Sequence, residues 1–591
     1  MNSHATIAGQ LQRTPTHIGG QPRQMGGFET LAQGLEFAAR TAGGLNFHGG
    51  RGALEHVLPY ADMAELAKAR AGQLAAAGLR PGDRVALLAE TSPDFMISFF
   101  ACQYAGMLPC PVPLPMQLGG RDNYVARVAG MMRAAKARVL IAPRAYAETL
   151  AEAVRLAGAA ALLTLEELAA LPERANAIHP LGPHDAAYIQ YSSGSTAAPK
   201  GVLISQRAIM ANTTAILRDG MRVQPDDRAF SWLPLYHDMG LVGFFLSPLM
   251  GQASVDYLAT ASFVKRAGLW LKLMSENGST ISFAPTFGYE LALKRLGGKA
   301  QELDLSRWRV AGIGGDMVRP EVLDAFAEAF APTGFRREAF MPGYGMAEMA
   351  LAISFSDLEV PYKTDVIDRE RAQAELLAAP VDPSSPRARR FASCGRVISG
   401  HEMIVVDDDG KRLPERAIGH IWVKGPSMMS GYYGNEEATR EVMKPGGYMD
   451  TGDLGYMLDG EIYITGRAKD LILHHGRNIW PQDIEWAVEK LEMVRSGDVA
   501  AFSVEQEDGA ERVVVLVQCR LREPEKIAQL RREARAAVHE ALGIDCEVVL
   551  IKPRQLPMTS SGKLARARAR QLFLEGKMEP CDVKLPETSA A

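Results

Sequence analysis

The sequence lacks the features that mark several classes of protein. Its six cysteines lie far apart and form no CxxC pair, which favours reduced thiols over a zinc site or a disulfide framework. The formal net charge of -4 over 591 residues is nearly neutral, so nothing indicates nucleic acid or an anionic membrane as the main partner. The segment Met1–Thr30 has no apolar core, and neither a signal peptide nor a membrane anchor is predicted there.

A long unbroken apolar run is also missing. The most apolar stretch, Phe95–Leu118, is interrupted by Gln103 and by four prolines from Pro109 to Pro115. This pattern predicts a buried helix followed by a loop rather than a membrane span. We therefore expect no transmembrane segment and a cytoplasmic location.

The first half of the chain alternates short β-branched runs with Ala-rich segments. Arg84–Leu88 and Val139–Ala142 are predicted strands, and Tyr124–Lys136 between them is a predicted helix. Such alternation favours parallel sheets covered by helices, an α/β fold.

After about Ser393 the pattern changes. Met403–Asp407, His420–Lys424 and Glu461–Thr465 are short predicted strands separated by Asp-Gly turns, which is typical of a small antiparallel β unit.

The tail returns to mixed α/β, with a predicted strand at Arg512–Cys519. Pro524–Leu542 is a predicted helix because its apolar residues recur with a helical period, at Ile527, Leu530, Ala534, Val538 and Leu542. A domain boundary is predicted near Gly466–Asp470.

A loop of small and hydroxyl-bearing residues follows the predicted strand Ala186–Tyr191. It runs from Ser192 to Gly201, contains Lys200, and precedes a helical pattern that begins near Ser205. Between a strand and a helix, such a loop lets backbone N–H groups converge on phosphate oxygens, with Lys200 supplying charge. It does not satisfy the Walker A pattern, and a flexible surface linker is the alternative.

This loop resembles the phosphate loop of the acyl- and aryl-adenylate-forming superfamily, and further segments match that family in order from about Phe28 to Arg570. The resemblance implies ATP and Mg²⁺ as cofactors. It also implies a large N-terminal domain, residues 1–466, of two parallel-type sheets layered with helices plus a small β-barrel subdomain. Residues 467–591 would form a small, mobile α+β lid domain.

Five more segments carry the resemblance. The fourth of them has two parts; the segments are Trp232–Gly240, Gly312–Met317, Tyr344–Glu348, Tyr448–Gly455 with Gly466–Asp470, and Pro557–Lys563. The second departs from the Gly-Ala-Glu-Pro form of close relatives, which puts the side-chain contacts of Asp316 in doubt. Taken alone, His237 could be structural, Glu348 a surface carboxylate and Lys563 a solvated lysine.

By resemblance, each segment contributes to one active site. Catalytic roles fall to Lys563, Glu348 and His237, and Mg²⁺ ligation to Glu348 and Thr196. Asp453 would accept the ribose hydroxyls, Tyr344 would stack on adenine, and Lys469 would lie at the interdomain hinge. The full nucleotide-binding set is Ser192, Ser193, Gly194, Ser195, Thr196, Lys200, Gly314, Gly315, Asp316, Tyr344, Gly345, Met346, Asp453, Arg467 and Lys469.

The segment Ile281–Tyr289 resembles the strand and turn that line the acyl pocket. It carries no carboxylate to hold a substrate ammonium, and the apolar run Leu241–Met250 accompanies it, so a fatty acid is the predicted substrate. Both stretches could instead be ordinary core. The predicted pocket residues are Phe283, Pro285, Tyr289, Met239 and Gly240.

The acceptor of the acyl group depends on a longer segment near residues 355–390. Typical acyl-CoA synthetases are shorter here, and an insertion at this place is a mark of fatty acyl-AMP ligases, which load an acyl carrier protein. Basic side chains that could dock an acidic carrier protein are Arg531, Arg532, Arg535, Arg566, Arg568 and Arg570. A fatty acyl-CoA synthetase that uses CoA is the alternative enzyme, and a nucleotide-binding regulator without catalysis is the alternative class.

Overall fold

The predicted alternation of strands and helices is present in the computed structural model, which describes residues 12–15, 23–115, 120–159, 161–192, 199–296, 302–505, 511–559 and 563–581. Most of these residues form layered α/β structure around parallel sheets. Within these ranges, none of the helices combines the length and the apolar character that crossing a membrane requires.

A nine-stranded sheet forms the centre of the molecule. Its order in space is Arg396–Val397, Ala352–Phe355, Phe340–Gly345, Val310–Ile313, Ile281–Ala284, Arg228–Ser231, Ser254–Leu258, Gly44–His48 and Leu54–Pro59. The six strands from Phe340–Gly345 to Gly44–His48 run parallel to one another. Each strand outside them pairs antiparallel with its inner neighbour. Since parallel strands end at a common edge, loops from several of them meet there, where open α/β sheets bind ligands.

A second sheet has four parallel strands, in the order Leu108–Val112, Arg84–Leu88, Val139–Ala142 and Ala161–Thr164. The predicted loop after the helix Pro93–Tyr104 is therefore wrong at Leu108–Val112. Leu108 N–H donates to the Asp83 carbonyl, and the Val112 carbonyl accepts from Ala89 N–H. The strand lies at the edge of its sheet, where the missing N–H groups of its two prolines are tolerated.

The glycine-rich loop also differs from its prediction. It connects Ala186–Tyr191 to a second, antiparallel strand, Gly201–Ser205, rather than leading directly into a helix. The helix Gln206–Ala215 follows, and the Ser205 hydroxyl caps it by accepting from Ala208 N–H. Residues 193–198 lie outside the described ranges.

The predicted antiparallel β unit is confirmed. Glu402–Val406, Gly419–Lys424, Tyr448–Leu458 and Met443–Lys444 form one sheet, with Glu461–Arg467 paired to Tyr448–Leu458.

The region from Ile472 onward has a hydrophobic core of its own. A hairpin of Ile472–His474 and Arg477–Ile479 precedes a sheet of Val499–Glu505, Glu511–Gln518 and Glu547–Ile551. The helix Pro524–Leu542 has the predicted bounds, and all five apolar residues that predicted it are buried. The boundary near residue 466 remains a prediction.

The remaining elements complete the layers. The other α-helices are Leu31–Ala38, Tyr60–Ala76, Gly120–Ala134, Ala147–Ala157, Leu165–Ala169, Asp238–Leu241, Ser247–Met250, Thr260–Lys265, Gly268–Asn277, Thr286–Leu296, Pro320–Phe330, Arg369–Glu375, Glu436–Val442, Pro481–Glu489 and Arg566–Leu574. Thr364–Asp368 pairs with Ala388–Ala392, and Gly431–Tyr432 adds to the edge of the Gly201–Ser205 strand.

Candidate active site

A cavity of about 330 Å³ opens at the carboxyl edge of the central sheet. Its two halves differ in chemistry. The polar half contains Lys200, His237, Asp238, Glu348, Arg467 and Lys563, and the apolar half contains Ile216, Met221, Phe244, Phe283, Leu351 and Phe355. Segments that are far apart in the sequence thus contribute to a single site.

Asp453 is the centre of one hydrogen-bonded cluster, which joins the polar half through Tyr344 and Arg467, because these two residues line the cavity whereas Asp453 does not. Tyr344 donates its hydroxyl hydrogen to Asp453 Oδ2 at 2.6 Å, and Arg467 Nε lies 2.9 Å from Oδ1. The Asp453 carboxylate raises the pKa of Arg467, so this guanidinium stays charged. A carboxylate has about four acceptor positions, so Asp453 keeps capacity for further donors such as the ribose hydroxyls predicted for it.

Glu348 is the second buried carboxylate of the polar half. It lies in the 3₁₀ turn Ala347–Met349 and is only 6% exposed, so the alternative of a surface glutamate is wrong. Tyr432 donates to Glu348 Oε1 at 2.9 Å, and burial raises the pKa of Glu348. A buried carboxylate in this polar half fits Mg²⁺, which usually takes one or two protein carboxylates with phosphate oxygens and water.

Tyr432 links this carboxylate to the glycine-rich hairpin. The Lys200 ammonium lies 4.8 Å from the centre of the Tyr432 ring, a cation–π contact. The strand Gly431–Tyr432 pairs with Gly201–Ser205 and so brings Tyr432 to the site. The sequence analysis missed Tyr432, because no local motif surrounds it and only the sheet pairing reveals it.

His237 and Asp238 both line the cavity. His237 Nδ1 lies 2.7 Å from Asp238 Oδ1, and both groups lie at the start of the short helix Asp238–Leu241. Burial alone would raise the pKa of Asp238, but His237 and the positive charge of Lys563 hold it below its usual range. Asp238 was not among the predicted site residues, although it stands within a segment that carried the resemblance.

Lys563 lines the cavity and lies within the electrostatic range of Asp238, Asp316 and Asp453. Its pKa is lowered, first by burial and then by Arg467. Residues 560–562 of its predicted loop lie outside the described ranges.

Arg566, three residues further on, is held between Asp470 and Glu485 at 2.9 Å and 2.7 Å. Because two carboxylates hold that guanidinium and only 15% of its side chain is exposed, the structure disfavours its predicted part in docking a carrier protein.

The turn after Val310–Ile313 brings Gly314 and Gly315 to the cavity wall. Gly315 has φ +85°, a conformation that a side chain would strain. Asp316 is turned away from the cavity lining and accepts from Thr286 N–H at 3.0 Å. Burial raises the pKa of Asp316 to about 6.

The residues predicted for nucleotide binding divide into those at the cavity and those elsewhere. Besides residues already placed, Ser192, Gly345, Met346 and Lys469 line it. Ser193, Gly194, Ser195 and Thr196 fall outside the described ranges.

Of the predicted acyl-pocket residues, Phe283 and Met239 line the cavity, whereas Gly240, Pro285 and Tyr289 do not. Tyr289 is fully buried, donates to the Gly312 carbonyl at 3.0 Å and packs edge-on against Trp270. At Gly240 a Cβ atom would lie 2.2 Å from the Pro234 carbonyl oxygen, so this glycine is required by close packing. Both residues support the pocket wall from behind.

Comparisons with known proteins agree with this geometry. Residues 46–433 match the AMP-binding enzyme family, and residues 476–569 match the AMP-binding enzyme C-terminal domain. The chain belongs to the AMP-binding enzyme family and is an acyl-adenylate-forming ligase. Within that family its relatives place it in the fatty acyl-AMP ligase branch.

Three similar proteins illustrate the relationship. A Caulobacter vibrioides protein with the provisional name acyl-CoA synthetase is 48% identical, covering 96% of this chain and 99% of its own length. The medium-chain fatty acid–[acyl-carrier-protein] ligase JamA of Moorena producens is 32% identical over 90% of this chain and 92% of its own. A solved structure from studies of fatty acyl-adenylate ligases of E. coli and L. pneumophila is 41% identical, with a TM-score of 0.89, and covers 94% of this chain and 99% of its own.

Proposed function

We propose that this enzyme uses ATP and Mg²⁺ to convert a medium- or long-chain fatty acid into its acyl-AMP and then transfers the acyl group to the phosphopantetheine thiol of an acyl carrier protein. The observation that carries the first step is the cavity in which an apolar half meets a polar half that contains Lys200, Arg467 and Lys563. An apolar acid fits one half, and the triphosphate fits the other.

The first step needs no general base, because the carboxylate is already the nucleophile. Its oxygen forms a bond to the α-phosphorus of ATP, and the bond from that phosphorus to the bridging oxygen of pyrophosphate breaks. The obstacle is the approach of two anions, so positioned positive charge supplies the catalysis. Lys563 and Arg467 carry that charge in the cavity.

The other polar residues hold the substrates. Asp453 accepts hydrogen bonds from the ribose, and Gly314 and Gly315 leave room for the adenine. Glu348, together with Thr196, would hold Mg²⁺, which supplies positive charge to the phosphate oxygens. His237 shapes the wall next to the reacting carboxylate, where it holds Asp238.

The choice of a carrier protein as acceptor is supported by the segment near residues 355–390. Its Arg389 pairs with Asp483 at 2.8 Å, and both side chains are 8% exposed. The same guanidinium lies 5.1 Å from the Trp480 ring centre. Arg477 also donates to the Gln373 side chain. Rotation of the C-terminal region would break a buried ion pair, which is costly because each charge would lose its partner.

In the second step the thiolate attacks the acyl carbonyl carbon, the carbon–oxygen bond to AMP breaks, and AMP leaves. A CoA thiol could perform the same chemistry, and the provisional name of the Caulobacter relative favours that acceptor. A regulator without catalysis is disfavoured, because Glu348, Arg467 and Lys563 all line the same cavity.

Product analysis by mass spectrometry tests the proposal. The enzyme is incubated with ATP, Mg²⁺ and a series of fatty acids, with no acceptor, with CoA, or with a phosphopantetheinylated carrier protein. Acyl-AMP without an acceptor, together with an acylated carrier protein and unconverted CoA, is the expected result. Rapid acyl-CoA formation would instead make it an acyl-CoA synthetase, and no acyl-AMP from any acid would refute the activity.

A further inference from the structure

The apolar half of the cavity ends on two π-helical turns, Ile216–Gly220 and Val242–Leu246. Ile216 and Phe244 of these turns line the cavity, as does Met221, which directly follows the first turn. Such turns are rare in proteins and occur frequently at functional sites. The sequence patterns did not reveal them, because an extra residue in one turn leaves little trace in the apolar periodicity.

A second, smaller cavity of about 20 Å³ lies directly behind this wall. It shares Met221, Gly243 and Phe244 with the main cavity, so these three residues have one face on each side. We call them the partition. The far side of the second cavity is formed mainly by apolar residues, among them Leu217, Ala253 and Ile281.

The second cavity is small but large enough to hold atoms. Its volume is just sufficient for one water molecule. The Ser247 hydroxyl is in its lining, is buried, and has no hydrogen-bond partner within the described part of the chain. Dense packing normally removes such space, so this cavity is an unusual feature of the core.

The partition itself is held firmly. The Phe244 carbonyl accepts a hydrogen bond from the Tyr257 hydroxyl at 2.6 Å. The Phe244 ring packs edge-on against the Phe283 ring, with 5.9 Å between ring centres. The Phe283 ring lies directly over Gly312, because a Cβ atom on Gly312 would lie 2.1 Å from that ring. An acyl chain that enters the apolar half therefore meets a fixed end at Phe244.

We propose that Met221 and Phe244 set the maximum acyl chain length, and that opening the partition lets the methyl end of a longer chain enter the second cavity. The inference rests on the proposed function, since it takes the apolar half as the acyl pocket. It adds which residues determine the choice among fatty acids.

The test measures kcat/KM for pyrophosphate release with a series of straight-chain saturated acids. Wild type, Phe244→Ala, Phe244→Leu and Met221→Ala are compared. Wild type should reach a longest accepted acid, and the variants should shift this limit to longer acids. Each methylene newly accommodated should raise kcat/KM about fourfold relative to wild type, the ratio expected for burying one methylene.

Ala253→Val provides the matched control, since it fills the second cavity without touching the main one. Alone it should leave the chain-length profile of wild type unchanged, and in the Phe244→Ala background it should reverse the gain for long acids. Folded Phe244→Leu and Met221→Ala variants that keep the wild-type profile would overturn the inference. A wild-type enzyme inactive with every acid would overturn the proposed function instead.

Discussion

The two halves of the cavity are built by different means. In the polar half, charged groups are fixed by hydrogen bonds, as Tyr344 and Arg467 fix Asp453. In the apolar half, rings are fixed by close packing, as Phe283 is packed over Gly312. The first arrangement places charge at a point, and the second defines a shape. Loss of a charge should therefore stop the reaction, whereas a change of shape should alter which acid is used.

The largest effect is expected for Lys563→Ala. Removing a positioned charge at the transition state costs roughly 3–4 kcal/mol, so acyl-AMP formation should fall on the order of a hundredfold or more. ATP-pyrophosphate exchange measures it. Lys577→Ala is the control, because that lysine is exposed and pairs with Glu575. Unchanged exchange in Lys563→Ala would contradict its catalytic assignment.

The second-largest loss of activity is expected for Asp453→Asn. It removes the negative charge that accepts from Tyr344 and leaves Arg467 without its ion-pair partner. Loss of a charged hydrogen bond of about 1.5–3 kcal/mol predicts a ten- to hundredfold fall in kcat/KM for ATP. Steady-state kinetics with varied ATP measure the change, with Asp459→Asn, in the turn after the same strand, as control. Equal losses in both variants would argue against a nucleotide role.

A smaller, qualitative effect is expected for Arg389→Ala. This change breaks the buried pair with Asp483 and frees the C-terminal region from the segment near residues 355–390. Conversion of CoA, which is absent in wild type, should become measurable, and thermal stability should fall, since broken buried pairs cost about 3–5 kcal/mol. Acyl-CoA yield is the measurement, with the half-exposed Arg387 replaced by alanine as control. If a folded Arg389→Ala protein converts no more CoA than wild type, the Arg389–Asp483 pair does not restrain the C-terminal region as proposed.

The smallest effect concerns pH and Asp316. Burial raises its pKa from 3.8 to about 6, so the folded protein holds this proton more tightly than the unfolded chain does. The stability that this proton contributes is therefore present at about pH 4 and is lost as the pH rises through 6. Asp316→Asn should raise the free energy of unfolding at about pH 7.5 more than at about pH 4.5, with a difference of at most about 2–3 kcal/mol, as measured by denaturant unfolding at the two pH values. An equal change at both pH values would contradict this.

The polar half could largely be predicted from sequence, because its residues stand in short ordered segments. Glu348, Asp453, Arg467 and Lys563 all line or border the cavity as the resemblance implied. Tyr432 could not be found this way, because it reaches the site only through a strand pairing with Gly201–Ser205.

The secondary structure was predicted best where the apolar residues repeat over many turns. All five apolar positions of the helix Pro524–Leu542 are buried. The strand Leu108–Val112 was missed because its prolines indicate a loop unless the strand is known to lie at a sheet edge. In the apolar half of the cavity, Tyr289 is packed behind the wall while Phe244, in a π-helical turn, forms it.

The most direct test of the central claim follows oxygen from the acid to the nucleotide. A fatty acid labelled with ¹⁸O in both carboxylate oxygens is incubated with the enzyme, ATP, Mg²⁺ and a phosphopantetheinylated carrier protein, and the AMP is analysed by mass spectrometry. Attack of the carboxylate on the α-phosphorus predicts one ¹⁸O in each AMP released. ADP with label in inorganic phosphate, or AMP without label, would contradict the account.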